Sequence, residues 1–221
     1  MRFVPPVFFL LLLQGLLLAC NDAPPVVHTK LEKPRAPYRV SAMDGDALNV
    51  IIEIPAGTNH KIEYDSETGF SNDTLEGGIT RVINFLPYPG NYGFVPSTLM
   101  DRAQGGDGDP LDVLVICESL ATGSRIAVKP IATLLLLDRG EIDTKIIAVP
   151  ADTNLRVFKV DNFLDFALEN DAAKSIIESW FLNYKGPRVT ELLRWEDEMY
   201  AWREVRKWTL PDPDAEQSVP Q

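Results

Sequence analysis

Three aspartates crowd one short turn of this 221-residue chain. Asp107, Asp109 and Asp112 fall within six residues of a segment rich in Gly and Pro, and an apolar run at residues 113–116 follows at once. Glycine and proline keep such a segment out of regular structure, so its acidic side chains are free to converge. Crowded carboxylates repel one another, and a hard divalent cation relieves the repulsion. The spacing favours a Mg²⁺ site at the end of a buried strand, although a solvated turn is the simpler interpretation of these residues alone.

A calcium-binding loop does not fit the same segment. Glu118 follows Asp107 by eleven residues, as in an EF-hand. Leu111 and Asp112, however, stand where that loop needs an oxygen ligand and an invariant glycine. The EF-hand interpretation is therefore rejected.

A second acidic cluster, with Asp138 and Asp143, lies between two apolar stretches at residues 124–137 and 145–149. Since both stretches are predicted strands, the two clusters can meet at one end of a sheet. Glu53 ends another predicted strand. Positive charge is available from Lys and Arg side chains elsewhere, namely Lys61, Arg81, Lys145 and Lys185. Carboxylates for metals beside such cations predict a site for a phosphate ester or anhydride.

Composition narrows the class of protein. Hydrophobic content of 45% and charged content of 24% are those of an ordinary globular domain. The net charge of −11 argues against nucleic acid or an anionic membrane surface as a partner. An anionic substrate therefore needs local cations. Neither of the two histidines, His28 and His60, is a convincing partner for Cys117, which argues against cysteine–histidine catalysis.

The first residues have the pattern of an export signal. Arg2 precedes a long apolar run that ends in Leu17-Leu18-Ala19-Cys20, which resembles a bacterial lipoprotein box. We predict a signal peptide at residues 1–19, lipidation of Cys20, and a Pro-rich tether at residues 20–45. The folded domain is predicted at residues 46–209 and a disordered tail at 210–221. The alternative for the leader is an uncleaved signal anchor.

Periodicity predicts the elements that position the acidic turns. Strands are expected at residues 49–54, 61–65, 81–85, 113–116, 124–137 and 145–149, and helices at 172–185 and 196–207. Residues 65–69 are expected to form a hairpin turn. Strands first and helices last predict an α+β domain with a small barrel or strongly curled sheet and the C-terminal helices packed outside.

Six motifs together resemble the family I soluble inorganic pyrophosphatases. In chain order they are Ile52-Glu53-Ile54-Pro55, Lys61-x-Glu63, Pro89-Gly90-Asn91-Tyr92-Gly93-Phe94, Gly106-Asp107-Gly108-Asp109-Pro110-Leu111-Asp112-Val113-Leu114, and Asp138-x-Gly140-x-x-Asp143-x-Lys145 with Asn183-Tyr184-Lys185 beyond. The resemblance covers residues 47–205 and implies a five-stranded barrel of the OB type with flanking helices.

The resemblance also implies a role for each matched residue. Several Mg²⁺ ions would be held by acidic side chains, namely Asp107, Asp112, Asp138, Asp143 and, mostly through water, Glu53. Asp109 would be the base that orients and deprotonates the attacking water. The two phosphoryl groups would be gripped by Lys61, Arg81, Tyr92, Lys145, Tyr184 and Lys185. Glu63 and Tyr88 would complete the site as neighbours of these groups.

The predicted function is Mg²⁺-dependent hydrolysis of inorganic pyrophosphate to two orthophosphates. The rivals are a related phosphohydrolase acting on a nucleotide or polyphosphate, and a catalytically silent envelope lipoprotein that binds metal or phosphate. The leader implies a bacterial cell-envelope protein, tethered to the membrane through Cys20. Asn21 in place of Asp favours a periplasm-facing position at the outer membrane. Relatives of this kind form homo-oligomers, which is the remaining expectation.

Overall fold

Eleven strands and three helices make up the part of the chain that the structure, a computed structural model, describes, residues 40–211. The strands are β1 Met43–Asp44, β2 Ala47–Ile54, β3 Ile62–Asp65, β4 Gly69–Asn72, β5 Thr74–Leu75, β6 Ile79–Thr80, β7 Asn91–Phe94, β8 Asp112–Val115, β9 Arg125–Asp138, β10 Glu141–Pro150 and β11 Thr190–Glu196. The helices are α1 Phe163–Glu169, α2 Asp171–Asn183 and α3 Glu198–Trp208. Cys20 and the predicted signal peptide lie outside the described residues.

Five of the strands close into a ring. They pair in the order β2, β7, β8, β10 and β9, and β9 returns to pair with β2. The β8–β10 ladder is parallel and the other four ladders are antiparallel. Two further strands extend this mixed sheet, with β1 on β2 and β11 on β9. The fold is therefore α+β with a five-stranded ring, in agreement with the class predicted from the sequence.

The strands of the ring are apolar on both faces. Along β8, Leu114 belongs to a core cluster that includes α1 and α2, whereas Val113 and Val115 belong to a second cluster that includes α3. On β10, Ile147 and Ile146 divide in the same way. Because successive side chains of a strand point to opposite faces, each strand supplies both clusters. Burial on both faces explains why successive residues of these strands are hydrophobic instead of alternating with polar ones.

The helices bury one stripe each. In α3, Ala201, Val205 and Trp208 are buried at helical spacing, and the side chain of Asp197 caps the first turn by accepting a hydrogen bond from Tyr200 N at 2.9 Å. In α2, Trp180 and Phe181 are buried against the sheet. Between residues 40 and 211, we find no helix that combines the length and the apolar character needed to cross a membrane.

Several element predictions need correction. Residues 81–85 do not form a strand. Their backbone is joined to the loop at residues 59–61 by isolated hydrogen bonds, in which Lys61 N donates to Arg81 O at 3.2 Å and Ile83 N donates to Asn59 O at 2.7 Å. The sequence also missed β7, α1 and β11. Since β11 lies between α2 and α3, the strands do not all precede the helices.

Gly93 allows β2 and β7 to approach closely. A Cβ atom added at Gly93 would lie 1.9 Å from the carbonyl oxygen of Ile51 and 2.9 Å from the Cα of Ile52. Only a residue without a side chain fits there, and the β2–β7 ladder is one of the five that close the ring. The glycine of the Asn91-Tyr92-Gly93 motif therefore has a packing role.

We predict that Gly93→Ala lowers the free energy of unfolding by more than about 3 kcal/mol, because the added methyl group overlaps backbone atoms. Urea unfolding followed by circular dichroism measures the effect. Gly77→Ala is the matched control, since Gly77 has positive φ but open space around it, and its substitution costs about 1 kcal/mol. Equal losses in the two variants would contradict this account of Gly93.

Candidate active site

A single cavity of about 560 Å³ is lined by all the site residues predicted within the described chain. They are Glu53, Lys61, Glu63, Arg81, Tyr88, Tyr92, Asp107, Asp109, Asp112, Asp138, Asp143, Lys145, Tyr184 and Lys185. They come from segments more than 130 residues apart in sequence, and the fold gathers them on one side of the ring. The lipidation residue Cys20 lies outside the described residues.

The strand register brings the acidic clusters together. Asp112 begins β8 and lies directly beside Lys145 of the parallel strand β10. Asp143 precedes Lys145 by two residues on β10, so the two side chains leave the same face of the sheet. Asp138 ends β9 beside the turn into β10, which is made by Arg139 and Gly140. The second cluster is thus one β-hairpin rather than a loop between separate strands.

Lys145 neutralises two of these carboxylates. Its side chain is only 5% exposed, and its Nζ bonds to Asp112 and lies 2.5 Å from Asp143 Oδ1. Burial by itself would lower the pKa of Lys145, but the two aspartates outweigh burial and hold that pKa well above its ordinary value. Lys145 is therefore a permanent cation at the centre of the cavity.

Lys185 neutralises Asp138 in the same manner. Its Nζ donates a hydrogen bond of 2.5 Å to Asp138 Oδ2. Burial would lower the pKa of Lys185, and this effect is outweighed by Tyr184, Asp138 and Asp143, so the pKa is raised. Lys185 follows the C-terminal end of α2, and Gly186, with φ of 105°, turns the chain away behind it.

Glu53 lies on β2 beside an irregular point of the β2–β7 ladder. Its Oε1 accepts a hydrogen bond from Tyr64 N at 2.8 Å. Burial raises the pKa of Glu53 to about 8, and the nearby Asp112 and Glu63 add to the effect. Near neutral pH this carboxyl group is therefore poised between its protonated and ionised forms.

The three aspartates of the acidic turn differ in how far they are exposed. Asp107 is half-buried and its Oδ1 accepts a hydrogen bond from Asp109 N at 2.9 Å, whereas the side chain of Asp109 is exposed to the cavity. Burial raises the pKa of Asp107, with Asp109, Asp112 and Asp143 contributing. Burial and Asp112 likewise raise the pKa of Asp109. Asp107 and Asp112 therefore repel each other across the turn, and Asp109 is the most exposed of the three aspartates.

Lys61 and Arg81 are held side by side by their backbones. Asp73 N donates to Lys61 O at 2.8 Å, and Arg81 N donates to Asp73 O at 2.8 Å. The Arg81 guanidinium also pairs with the Asp73 carboxylate, with Nη1 and Oδ2 3.0 Å apart, and Lys61 pairs with Glu63. Sequence reasoning missed Asp73, which positions Arg81 without lining the cavity.

Three tyrosines form the apolar wall of the cavity. Tyr184 stacks on Trp180 with ring centroids 4.5 Å apart, and Tyr88 packs on Trp180 at the same distance. Burial raises the pKa of Tyr88 and of Tyr92 far above the ordinary value for tyrosine. Their hydroxyl groups therefore remain neutral hydrogen-bond donors at physiological pH.

Other lining residues were not predicted. They are Tyr64, Phe94, Arg102, Pro110, Glu141, Ile142 and the apolar neighbours Ile54 and Ile62. Arg139, the residue after Asp138, also lines the cavity. The buried Asn91 was also missed, although it lies in a quoted motif. Its Oδ1 accepts hydrogen bonds from Ala56 N at 3.1 Å and Leu120 N at 2.7 Å, so it joins two loops beneath the site. Its position directly after Pro89 and Gly90 was the available signal.

The donor set fits hard divalent cations. Eight carboxylates and six Lys or Arg side chains line the cavity, so negative charge is in excess. Within residues 40–211, Asp138 Oδ1 is buried and accepts no hydrogen bond, which leaves it available as a ligand. In the same part of the chain, no three His, Cys, Asp or Glu side chains lie close enough to form an ion site as they stand. Two of the carboxylates, Asp112 and Asp143, contact Lys145 instead.

Comparison with known proteins decides the family. The family model described as inorganic pyrophosphatase matches residues 50–210. The chain belongs to the inorganic pyrophosphatase family. It is 42% identical to an inorganic pyrophosphatase of Sulfolobus acidocaldarius over 142 residues, which cover 63% of this chain and 75% of that protein. It is 36% identical to one from Haemophilus influenzae over 170 residues, covering 75% and 89% of the two chains.

Solved structures agree with this family assignment. The crystal structure of inorganic pyrophosphatase from Thermus thermophilus superposes with a TM-score of 0.67 at 30% identity and covers 79% of this chain and 97% of that one. The structure of the Coxiella burnetii inorganic pyrophosphatase gives a TM-score of 0.63 at 35% identity, with 77% and 98% covered. The α+β fold is thus that of the inorganic pyrophosphatase family.

A pH-dependent stability follows from Glu53. Its pKa is about 8 in the folded chain against 4.5 for the unperturbed group, so stability is lost as pH rises from about 4.5 through 8. We compare the free energy of unfolding of Glu53→Gln with that of the unchanged metal-free chain. We expect the difference to shift in favour of the variant by roughly 1–3 kcal/mol between pH 5 and pH 8. Urea unfolding in EDTA at several pH values measures the difference.

Glu67→Gln is the control for this comparison, because Glu67 is exposed and lies outside the cavity. Its stability difference from the unchanged chain should stay constant with pH. A pH-independent difference for Glu53→Gln as well would show that Glu53 ionises normally in the folded protein.

Proposed function

We propose that this inorganic diphosphatase cleaves pyrophosphate to two orthophosphates with a water molecule activated by Mg²⁺. The observation that supports it is the convergence of fourteen predicted residues on one cavity, namely seven acids, four bases and three tyrosines. We take the five-stranded ring to be the small OB-like barrel that the family resemblance implies. We assign metal binding to acidic residues of the cavity, namely Asp107, Asp112, Asp138, Asp143 and Glu53.

The bound Mg²⁺ ions would lower the pKa of the attacking water and offset the charge of the substrate. Asp109, exposed in the cavity, orients this water and accepts its proton. The water oxygen forms a bond to one phosphorus as the bond from that phosphorus to the bridging oxygen breaks. The leaving phosphate keeps the electron pair, and no covalent intermediate with the protein is needed.

The cationic and phenolic side chains hold the two phosphoryl groups. Lys61 and Arg81 reach them from the loop side, while Lys145 and Lys185 lie among the carboxylates. The hydroxyl groups of Tyr92 and Tyr184 donate hydrogen bonds, and burial keeps that of Tyr92 in its neutral form. Fixed donors of this kind stabilise the charge that develops on the leaving phosphate.

Phosphate release tests the proposal and its base. We expect the purified chain to release orthophosphate from pyrophosphate with Mg²⁺, and Asp109→Asn to lower kcat by about 100-fold or more. Asp152→Asn is the control, because Asp152 caps a 3₁₀ turn far from the cavity lining and asparagine retains that cap. Its kcat should not change.

The outcomes separate the two functional classes. A well-folded chain that binds Mg²⁺ or phosphate but releases no orthophosphate would be the silent binding protein instead. Full activity in Asp109→Asn, with hydrolysis intact, would instead remove Asp109 from the role of base and leave the reaction itself standing.

We also propose that the protein is an envelope lipoprotein, anchored through Cys20 and facing the periplasm from the outer membrane. The support is the sequence Leu17-Leu18-Ala19-Cys20 after an apolar run. All the residues that line the active-site cavity lie between Glu53 and Lys185, outside the predicted leader. We further propose a homo-oligomer, supported by the strongly exposed Leu164 and Leu168 of α1 and Ile176 of α2.

The anchor is tested by the two cysteines of the chain. In cells fed a radiolabelled fatty acid, we expect label on the unchanged protein and on Cys117→Ser, and none on Cys20→Ser. Cys117 is a half-buried residue outside the active-site cavity, so its variant is the matched control. Label retained by Cys20→Ser would exclude Cys20 as the lipid attachment point.

A further inference from the structure

The six cations of the active-site cavity differ in how they are paired. Four of them form ion pairs with carboxylates: Lys61, Arg81, Lys145 and Lys185. Among residues 40–211, no carboxylate lies within ion-pair distance of the other two, Arg102 and Arg139. Both are exposed and both line the cavity. Their positive charge is therefore available to an anionic ligand without breaking an existing pair.

Arg102 has a defined position against the acidic turn. Its Nε lies 2.6 Å from the point that a Cβ atom would occupy on Gly108, and its Cζ and Nη2 lie 3.2 Å from that point. Gly108 has a φ of 90° and no side chain, so the guanidinium rests on the backbone between Asp107 and Asp109. It lies close enough to the proposed base, Asp109, to interact electrostatically with that carboxylate.

The loop that carries Arg102 is hydrogen-bonded to the same turn. Met100 N donates to Asp109 O at 2.9 Å, and Gly108 N donates to Met100 O at 2.8 Å. Arg102 opens a 3₁₀ turn whose cap, Asp101, accepts a hydrogen bond from Ala103 N at 2.9 Å. A Cβ atom on Gly106 would lie 2.3 Å from Met100 backbone atoms, so the two segments also touch directly. The position of Arg102 is therefore fixed relative to the aspartates.

We propose that Arg102 is a further pyrophosphate-binding residue, which holds the phosphoryl group that lies against the Asp107–Asp109 turn. This inference rests on the proposed function of the cavity. A guanidinium binds phosphate oxygens in pairs through its planar fork. Packing against the backbone of Gly108 does not need the charge. Within residues 40–211 no carboxylate forms an ion pair with this guanidinium, so its charge is available to a phosphate.

A direct contact and a general attraction make different predictions. If Arg102 only adds to the positive potential of the cavity, the exposed Arg139 does the same, and salt screens both effects. If Arg102 contacts the phosphate, its loss weakens binding more than the loss of Arg139, and high salt does not remove the difference. Lysine at position 102 then restores part of the affinity, since it keeps the charge but not the fork.

The experiment compares Arg102→Gln, Arg102→Lys, Arg102→Met and Arg139→Gln, with Arg125→Gln as a control outside the cavity. Calorimetry measures pyrophosphate binding in Ca²⁺, and phosphate release in Mg²⁺ gives KM and kcat. We expect Arg102→Gln and Arg102→Met to weaken binding and raise KM by about tenfold, with a smaller change in kcat, and Arg102→Lys to lie between them and the unchanged chain. The methionine variant keeps an unbranched side chain against Gly108, so it separates charge from packing.

Each result bears on the proposal. Unchanged binding in Arg102→Gln overturns it, as do equal losses in Arg102→Gln and Arg139→Gln that vanish at about 0.5 M salt. Normal binding by Arg102→Met also overturns it, because packing alone would then explain the residue. If the unchanged chain binds pyrophosphate without cleaving it, the proposed function fails while the binding series still decides the role of Arg102.

Discussion

Carboxylates confined together next to a buried ammonium group are the constraint on which the site depends. Asp112 and Asp143 are held at neighbouring positions by the β8–β10 register, where their charges would repel each other without Lys145. A buried ion pair costs desolvation energy, and removing one partner leaves the other uncompensated. The acids, the lysine and the strand register are therefore linked, and a change in one alters the electrostatics of the others.

The same pairing relates structure to function. Lys145 and Lys185 offset the acids within the folded chain, yet carboxylates remain in excess in the cavity. Among them, the buried Asp138 Oδ1 accepts no hydrogen bond within the described region. That remaining negative charge favours the binding of divalent cations. The bound cations would in turn offset the negative charge of an anionic substrate. The negative net charge of the chain is thus compatible with a negatively charged substrate.

The sequence predicted the site better than the elements around it. Polar residues such as Asp107 and Lys145 were identifiable because their chemistry is unusual beside apolar strands. The strand β11 was missed because Trp195 fits the helical pattern of α3. Trp195 precedes Trp202 by seven residues, which is the length of two helical turns. Asp197, the cap, marks where the helix begins. Arg102 and Asp73 were missed for a different reason, since their positions depend on loop hydrogen bonds that no local periodicity encodes.

The closing ladder between β2 and β9 has a kinetic consequence. It joins residues such as Leu48 and Val128 that are far apart in sequence, and the ring is incomplete until this pairing forms. Long-range pairing of this kind raises contact order and slows folding, because the entropy of a large loop is lost before the contacts form. Glu53 on β2 lines the same cavity as Asp138 of β9 and Asp143 of β10. Since several strands of the ring contribute residues to this cavity, we expect recovery of activity during refolding to follow closure of the ring.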